Sequence, residues 1–119
     1  MSEELFEAGD VFWAPDPYSA AGPRPWLVLA ADDLPFTGEE YICAALTLSD
    51  HEANLKVGED WVVGGSPDRT SYCSPWVLAT IKHDAVANPQ GSVTAGFTER
   101  VVRDAAEYVA GDVGVELGL

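Results

Sequence analysis

Up to residue 97 the apolar residues come in short bursts, closed off by glycine, proline and small polar residues. The longest bursts, such as WLVLAA at residues 26–31, fall far short of a bilayer span. They read instead as strands. GDVFWA at residues 9–14 follows a Gly-Asp turn and is the first. PDPYSAAGPRP at residues 15–25 holds four prolines and reads as a loop. It is long for a hairpin, and long loops in compact domains tend to carry function. WLVLAA is the second strand, and its unbroken apolar run predicts burial on both faces. YICAALTL at residues 41–48 is the third. SDHEANLKVGED is polar and reads as exposed, and WVVGG as a short strand. SYCSPWVLATI at residues 71–81 predicts a strand kinked or split at Pro75, and GSVTAGF a last short one.

Then the period changes. In TERVVRDAAEYVA, residues 98–110, apolar side chains fall at Val101, Val102, Ala105, Ala106 and Val109. That spacing predicts one amphipathic helix. Thr98 suits its N-cap, Glu99 its first turn and Gly111 its C′ position. Glu99 and Arg103 stand four apart in the favourable order. The tail, DVGVELGL, could frame a terminal strand or a docked extension. Five to seven short strands and a C-terminal amphipathic helix predict a mainly β (α+β) protein, a small SH3-like β-barrel. With 119 residues it reads as one domain, 1–119.

The chain carries 6 Lys and Arg against 20 Asp and Glu, a formal net charge of −14. The acidic residues are spread along it rather than gathered in a tail. This is a surface suited to a salty cytoplasm and points to a halophile, by this reading haloarchaeal. Salt screens the self-repulsion, because the Debye length falls to about 3 Å at 1 M. Such a surface leaves a polyanionic substrate open. The acidic N-terminus has no apolar h-region, so the expected location is cytoplasmic, with no membrane association. Cys43 and Cys73 lie in apolar strand-like segments without a CxxC or Cys/His cluster. They read as small buried hydrophobes, or alternatively as neighbouring thiols on adjacent strands.

GxSxG, HExxH, a phosphate-cradling glycine loop and a dense carboxylate–histidine set are all missing. What remains is GDVFW at residues 9–13, then the proline-rich loop, then GPRPWLVLA at residues 22–30 and a strand ending in LT. With SYCSPWVLATI and the following Gly91, this order resembles the PemK/MazF family of toxin endoribonucleases over residues 9–109. The resemblance implies a homodimer that cuts single-stranded RNA without a cofactor, as the toxin of a toxin–antitoxin pair, with a cognate antitoxin blocking its groove. It also implies that Arg24 and Thr47 act on RNA. The family usually has proline two before that threonine and serine just after it, where this chain has Ala45 and Leu48.

The chemistry can be weighed beside the resemblance. Metal-free RNA cleavage uses the ribose 2′-hydroxyl as nucleophile and needs proton transfer and donors for the charge that builds on phosphorus. A guanidinium supplies planar, bidentate donors to phosphate but is too basic to act as a general base. Thr47 can hydrogen-bond a non-bridging oxygen. His51 has the side-chain type suited to proton transfer. Asp10 either closes a turn or orients the arginine, and Trp13 and Arg69 are candidates for a base and a phosphate. Plainer readings stand beside these: Arg24 paired with Asp32 or Asp33 at the surface, Thr47 as an ordinary strand residue, His51 and His83 as exposed loop histidines, the tryptophans as core or interface, and Arg69 as a turn cap. The rival functions are a catalytically inactive barrel that binds RNA or a peptide, and an assembly subunit.

Overall fold

The computed structural model describes residues 4–64 and 71–118, without the side chains of Val63 and Gly64. Seven strands make one antiparallel sheet: β1 (Asp10–Pro15), β2 (Pro23–Ala30), β3 (Glu40–Thr47), β4 (Leu55–Lys56), β5 (Trp61–Gly64), β6 (Tyr72–Lys82) and β7 (Asn88–Val93). They lie in the order β4-β6-β3-β2-β1-β7-β5. The sheet curls into a half-barrel, and one helix, α1 (Ala95–Gly111), follows it. The mainly β architecture with a C-terminal helix is thus as the apolar pattern predicts. Among the described residues no helix is long and apolar enough to cross a membrane.

Period-two alternation gives the central strands two buried faces. Trp26 and Val28 join Phe12, Tyr41 and Cys43 in one cluster, while Leu27 joins Val11, Ala44 and Leu46 in the other. Phe97 and Val101 of α1 pack into the second cluster. Burying side chains of that size stabilises by roughly 1.5–3 kcal/mol each, enough to anchor the helix to the sheet. Cys43 and Cys73 are buried thiols on adjacent strands, but they belong to opposite clusters and so are not neighbours. Burial pushes each up to about 12.

Two strands depart from the expected pattern. β6 is continuous through Pro75, but it pairs Ala44↔Leu78 and then Ala45↔Ser74, so residues 75–77 form an extended bulge. That is where a strand proline is tolerated, and the carbonyl of Leu78, just past the bulge, accepts the Tyr18 hydroxyl. The helix starts earlier than its apolar period indicates. Thr94, not Thr98, is the N-cap: its hydroxyl oxygen accepts from Phe97 N at 3.2 Å and its O–H donates to Asp60 Oδ1 at 2.7 Å. Thr98 is buried in the first turn, donating to the Thr94 carbonyl. The long-range partner Asp60 decides between the two threonines, and periodicity carries no trace of it. Gly111 is the last helical residue, and the left-handed turn falls at Gly114 (φ +69°). Glu99 and Arg103 form no ion pair among those of the described residues.

Candidate functional site

β2 pairs with β3 from Trp26↔Ala45 inward, but its first residues pair only with β1: Pro23↔Pro15, Arg24↔Ala14 and Pro25↔Trp13. Arg24 therefore lies within β2 rather than before it, and the proline-rich loop shortens to residues 16–22. Toward β3 this end of β2 has no ladder, and at Pro23 and Pro25 there is no N–H to strand. The two strands part, and a cleft of about 620 Å³ opens between them. Arg24, Leu46 and Thr47 line it, with Trp13, Trp61 and Gln90 from β1, β5 and β7.

Arg24 spans the gap. Its Nη2 donates to the Leu46 carbonyl at 2.8 Å and its Nη1 to Asp16 Oδ2 at 3.2 Å. Its guanidinium carbon lies 5.7 Å from the centre of the Trp26 ring. The Asp16 side chain is 8% exposed and that of Arg24 29%. Of the five N–H donors of a guanidinium, two are engaged; of the other three, the Nε–H is enclosed and two stand on the terminal nitrogens. Arg24 is the one charged side chain among the described residues lining the cleft. In a chain with 20 acidic residues, the described lining of this cleft offers a cation and no carboxylate, with Asp16 offsetting part of that charge from outside the lining.

Thr47 lines the same cleft. Its hydroxyl oxygen accepts from Ser49 N at 3.2 Å, leaving its O–H to donate elsewhere. The next turn is pinned by Asn54, whose Nδ2 donates to the Ser49 carbonyl at 3.0 Å and whose Oδ1 accepts from Ser74 Oγ at 2.7 Å.

The structure thus brings Arg24, Thr47 and Trp13 to one cleft and leaves Asp10 and His51 outside its lining. Asp10 does not orient the arginine: its carboxylate accepts from Glu7 N at 2.8 Å and closes a turn. Nor do Asp32 and Asp33 pair with Arg24; Asp16 does. His51 is outside the cleft lining, its ring 5.7 Å from that of Trp76 and its Nδ1 accepting from Ala53 N at 3.0 Å. His83 is half-buried rather than an exposed loop residue, with its Nδ1 2.7 Å from the Tyr41 hydroxyl. Arg69 lies outside the described residues. Among the described residues no three His, Cys, Asp or Glu side chains gather as metal ligands would.

Sequence reading missed Asp16, Trp61 and Gln90. The signal for Asp16 was present: PDP and PRP flank one hairpin loop, which sets the Asp beside the Arg. Trp61 and Gln90 arrive through pairing of β7 with β1 and β5, which no local pattern announces.

No family model matches the chain, and no curated protein does. Solved structures do. A mycobacterial endoribonuclease in complex with its cognate antitoxin is 20% identical, covering 98% of this chain and 99% of that one, with a TM-score of 0.60. The Mycobacterium tuberculosis toxin MazF-mt6 is 15% identical, covering 91% and 99%, with a TM-score of 0.63. A further mycobacterial endoribonuclease is 22% identical, covering 93% and 94%, with a TM-score of 0.57. At such identities the likeness is one of fold: this chain folds as MazF-type toxins do, end to end.

Proposed function

We propose that the protein is a MazF-type endoribonuclease that cuts single-stranded RNA, the toxin of a toxin–antitoxin pair. One observation carries this reading: Arg24, with donors to spare, shares with the Thr47 hydroxyl a cleft that has no carboxylate among its described lining residues. An unpaired strand can enter such a cleft with its bases turned out, which a duplex cannot. In this mechanism the ribose 2′-oxygen attacks the adjacent phosphorus, the P–O5′ bond breaks, and the products are a 2′,3′-cyclic phosphate and a free 5′-hydroxyl. The 2′-hydroxyl loses its proton and the departing 5′-oxygen gains one. Arg24 donates to the oxygens on which negative charge builds, and Thr47 to a non-bridging oxygen. Asp16 and the Leu46 carbonyl hold the guanidinium in place. Trp13 offers an aromatic face for a base.

Sequence selectivity, metal independence, a homodimer, and an antitoxin that blocks the cleft belong to the same proposal, as do a cytoplasmic location and a halophilic, haloarchaeal source. The solved complex of a similar fold with its antitoxin supports the partner. The net charge of −14 supports activity that rises with salt into the molar range, where screening lets RNA approach.

The test is incubation of unstructured RNA with the wild type and Arg24→Ala, in EDTA, from low salt to molar KCl. Cutting by the wild type that grows with salt and falls about 10²–10³-fold in the variant is the expected result. Equal cutting by both proteins removes Arg24 from the mechanism. RNA that binds but stays intact favours the inactive binding module, a reading that Ala45 and Leu48 at the strand end keep in view. Activity strongest near zero salt removes the halophile.

A further inference from the structure

We infer, resting on the endoribonuclease reading, that Gln90 is a base-reading residue of the cleft, whose carboxamide pairs with the edge of one unstacked nucleobase. The placement comes from the register of β7. Val11 pairs with Gly91 and Phe12 with Pro89, so Gln90 is an extra residue on β7 with no opposite number on β1. A bulge of this kind re-aims a side chain, and bulges concentrate beside binding sites. Here the bulged residue lines the cleft with Trp13 and Trp61.

No described residue makes use of the amide placed there. The Oε1 atom is enclosed and, among the described residues, receives no hydrogen bond. Buried polar atoms are almost always satisfied, and one that is not calls for an explanation. The terminal torsion of glutamine is broad and close to two-fold. Because Oε1 is enclosed in this conformation, offering a carbonyl acceptor beside an N–H donor to the cleft takes a change of rotamer as well as a turn about that torsion.

A phosphate or a ribose does not need that pair of functions, and Arg24 already supplies donors to phosphate. A base edge does need it. Every base carries a donor next to an acceptor on its Watson–Crick edge, and side-chain amides match such edges bidentately. The two tryptophans give the plane of that base aromatic surface to rest on. Arg24 and Thr47 would then act on any phosphodiester, while Gln90 decides which one is presented.

The experiment is cleavage of a pool of random single-stranded RNA by the wild type, Gln90→Leu and Gln90→Glu, with the cut sites sequenced. The wild type is expected to favour particular bases at one position near the cut by about 5- to 150-fold, the discrimination of one good bidentate pair. Gln90→Leu flattens that position alone. Gln90→Glu keeps only acceptors, so its preference moves toward guanine, whose N1–H and 2-amino group stand side by side as donors on the Watson–Crick edge. A general structural role for Gln90 would not move the preference in that chemical direction. The inference is overturned if Gln90→Leu keeps the wild-type profile, or if the glutamate variant shifts toward uracil, whose one Watson–Crick donor lies between two carbonyls. A wild type that leaves the pool uncut overturns the endoribonuclease reading, and this inference with it.

Discussion

Two cation–carboxylate pairs stand among the described residues, and length is the least of their differences. Lys82 Nζ meets Glu40 Oε1 at 2.9 Å, and Arg24 Nη1 meets Asp16 Oδ2 at 3.2 Å. The shorter pair is the ordinary one. Glu40 and Lys82 are direct cross-strand partners at the ends of β3 and β6, and the lysine side chain is 65% exposed. Its hydrogen bond to Glu40 raises the Lys82 pKa, helped by the charge of the same carboxylate, but water and salt surround the pair. The longer pair sits where two strands part, with the carboxylate nearly enclosed, a backbone carbonyl as second partner and a cleft in front. An ion pair is informative through what surrounds it, not through its length.

The unsatisfied atoms follow the same division. Among the described residues, the enclosed side-chain atoms without a partner are Arg24 Nε, Trp26 Nε1 and Gln90 Oε1. Two belong to the wall of the cleft, and the third to the ring beneath the Arg24 guanidinium. Leaving such atoms unpaired costs about 1–3 kcal/mol each. Among the described residues, the unpaired side-chain atoms thus gather in or beside the cleft, where a ligand can offset that cost.

Exchanging the cations sharpens the contrast most. Arg24→Lys should lose about 10²-fold in RNA cleavage, because an ammonium replaces a fixed planar fork with a point charge. Thr47→Val keeps the strand and removes one neutral hydroxyl, for a fall of about 5- to 10-fold, the worth of roughly 1 kcal/mol. Both are read from initial rates on one oligonucleotide. Asp16→Asn should act on stability as well as on rate. It removes a charge-assisted bond from a nearly enclosed side chain, so chemical denaturation should give a loss of about 1–3 kcal/mol. Lys82→Arg is the smallest change, and cutting and unfolding midpoint should both stay at wild-type values.

Alkaline pH offers a separate check on burial. Cys43 and Cys73 ionise near 9.0 when exposed and near 12 in the fold. The native state thus holds protons that the unfolded chain releases, and stability is full below pH 9 and falls as pH rises toward 12. The raised pKa of Lys82 works in the same direction, above the ordinary 10.5. Urea titrations from pH 8 to 11 should show the decline, and Cys43→Ala should flatten it.

Much of this was legible in the chain. Short apolar bursts and one helical period led to a curled sheet with a terminal helix, because period-two and period-3.6 patterns are local. Arg24, Thr47 and Trp13 were legible because each lies in or beside a strand whose order resembles a known family. The partner of the arginine was harder, since Asp16, Asp32 and Asp33 are equally near in sequence. Only the β1–β2 register chooses Asp16. The helix cap turned on Asp60, 34 residues before Thr94. Gln90 depended on a bulge, and a bulge is a property of two strands rather than of one.

The central claim is that Arg24, and not Lys82, meets the phosphodiester. Nitrogen-resolved NMR follows the Arg24 Nε–H and Lys82 Nζ signals as single-stranded RNA, made uncleavable by a 2′-deoxy substitution, is added to saturation. The account predicts that the Arg24 signal moves with occupancy while that of Lys82 stays in place. Saturating RNA that leaves the Arg24 signal unmoved, or that shifts only Lys82, would contradict it.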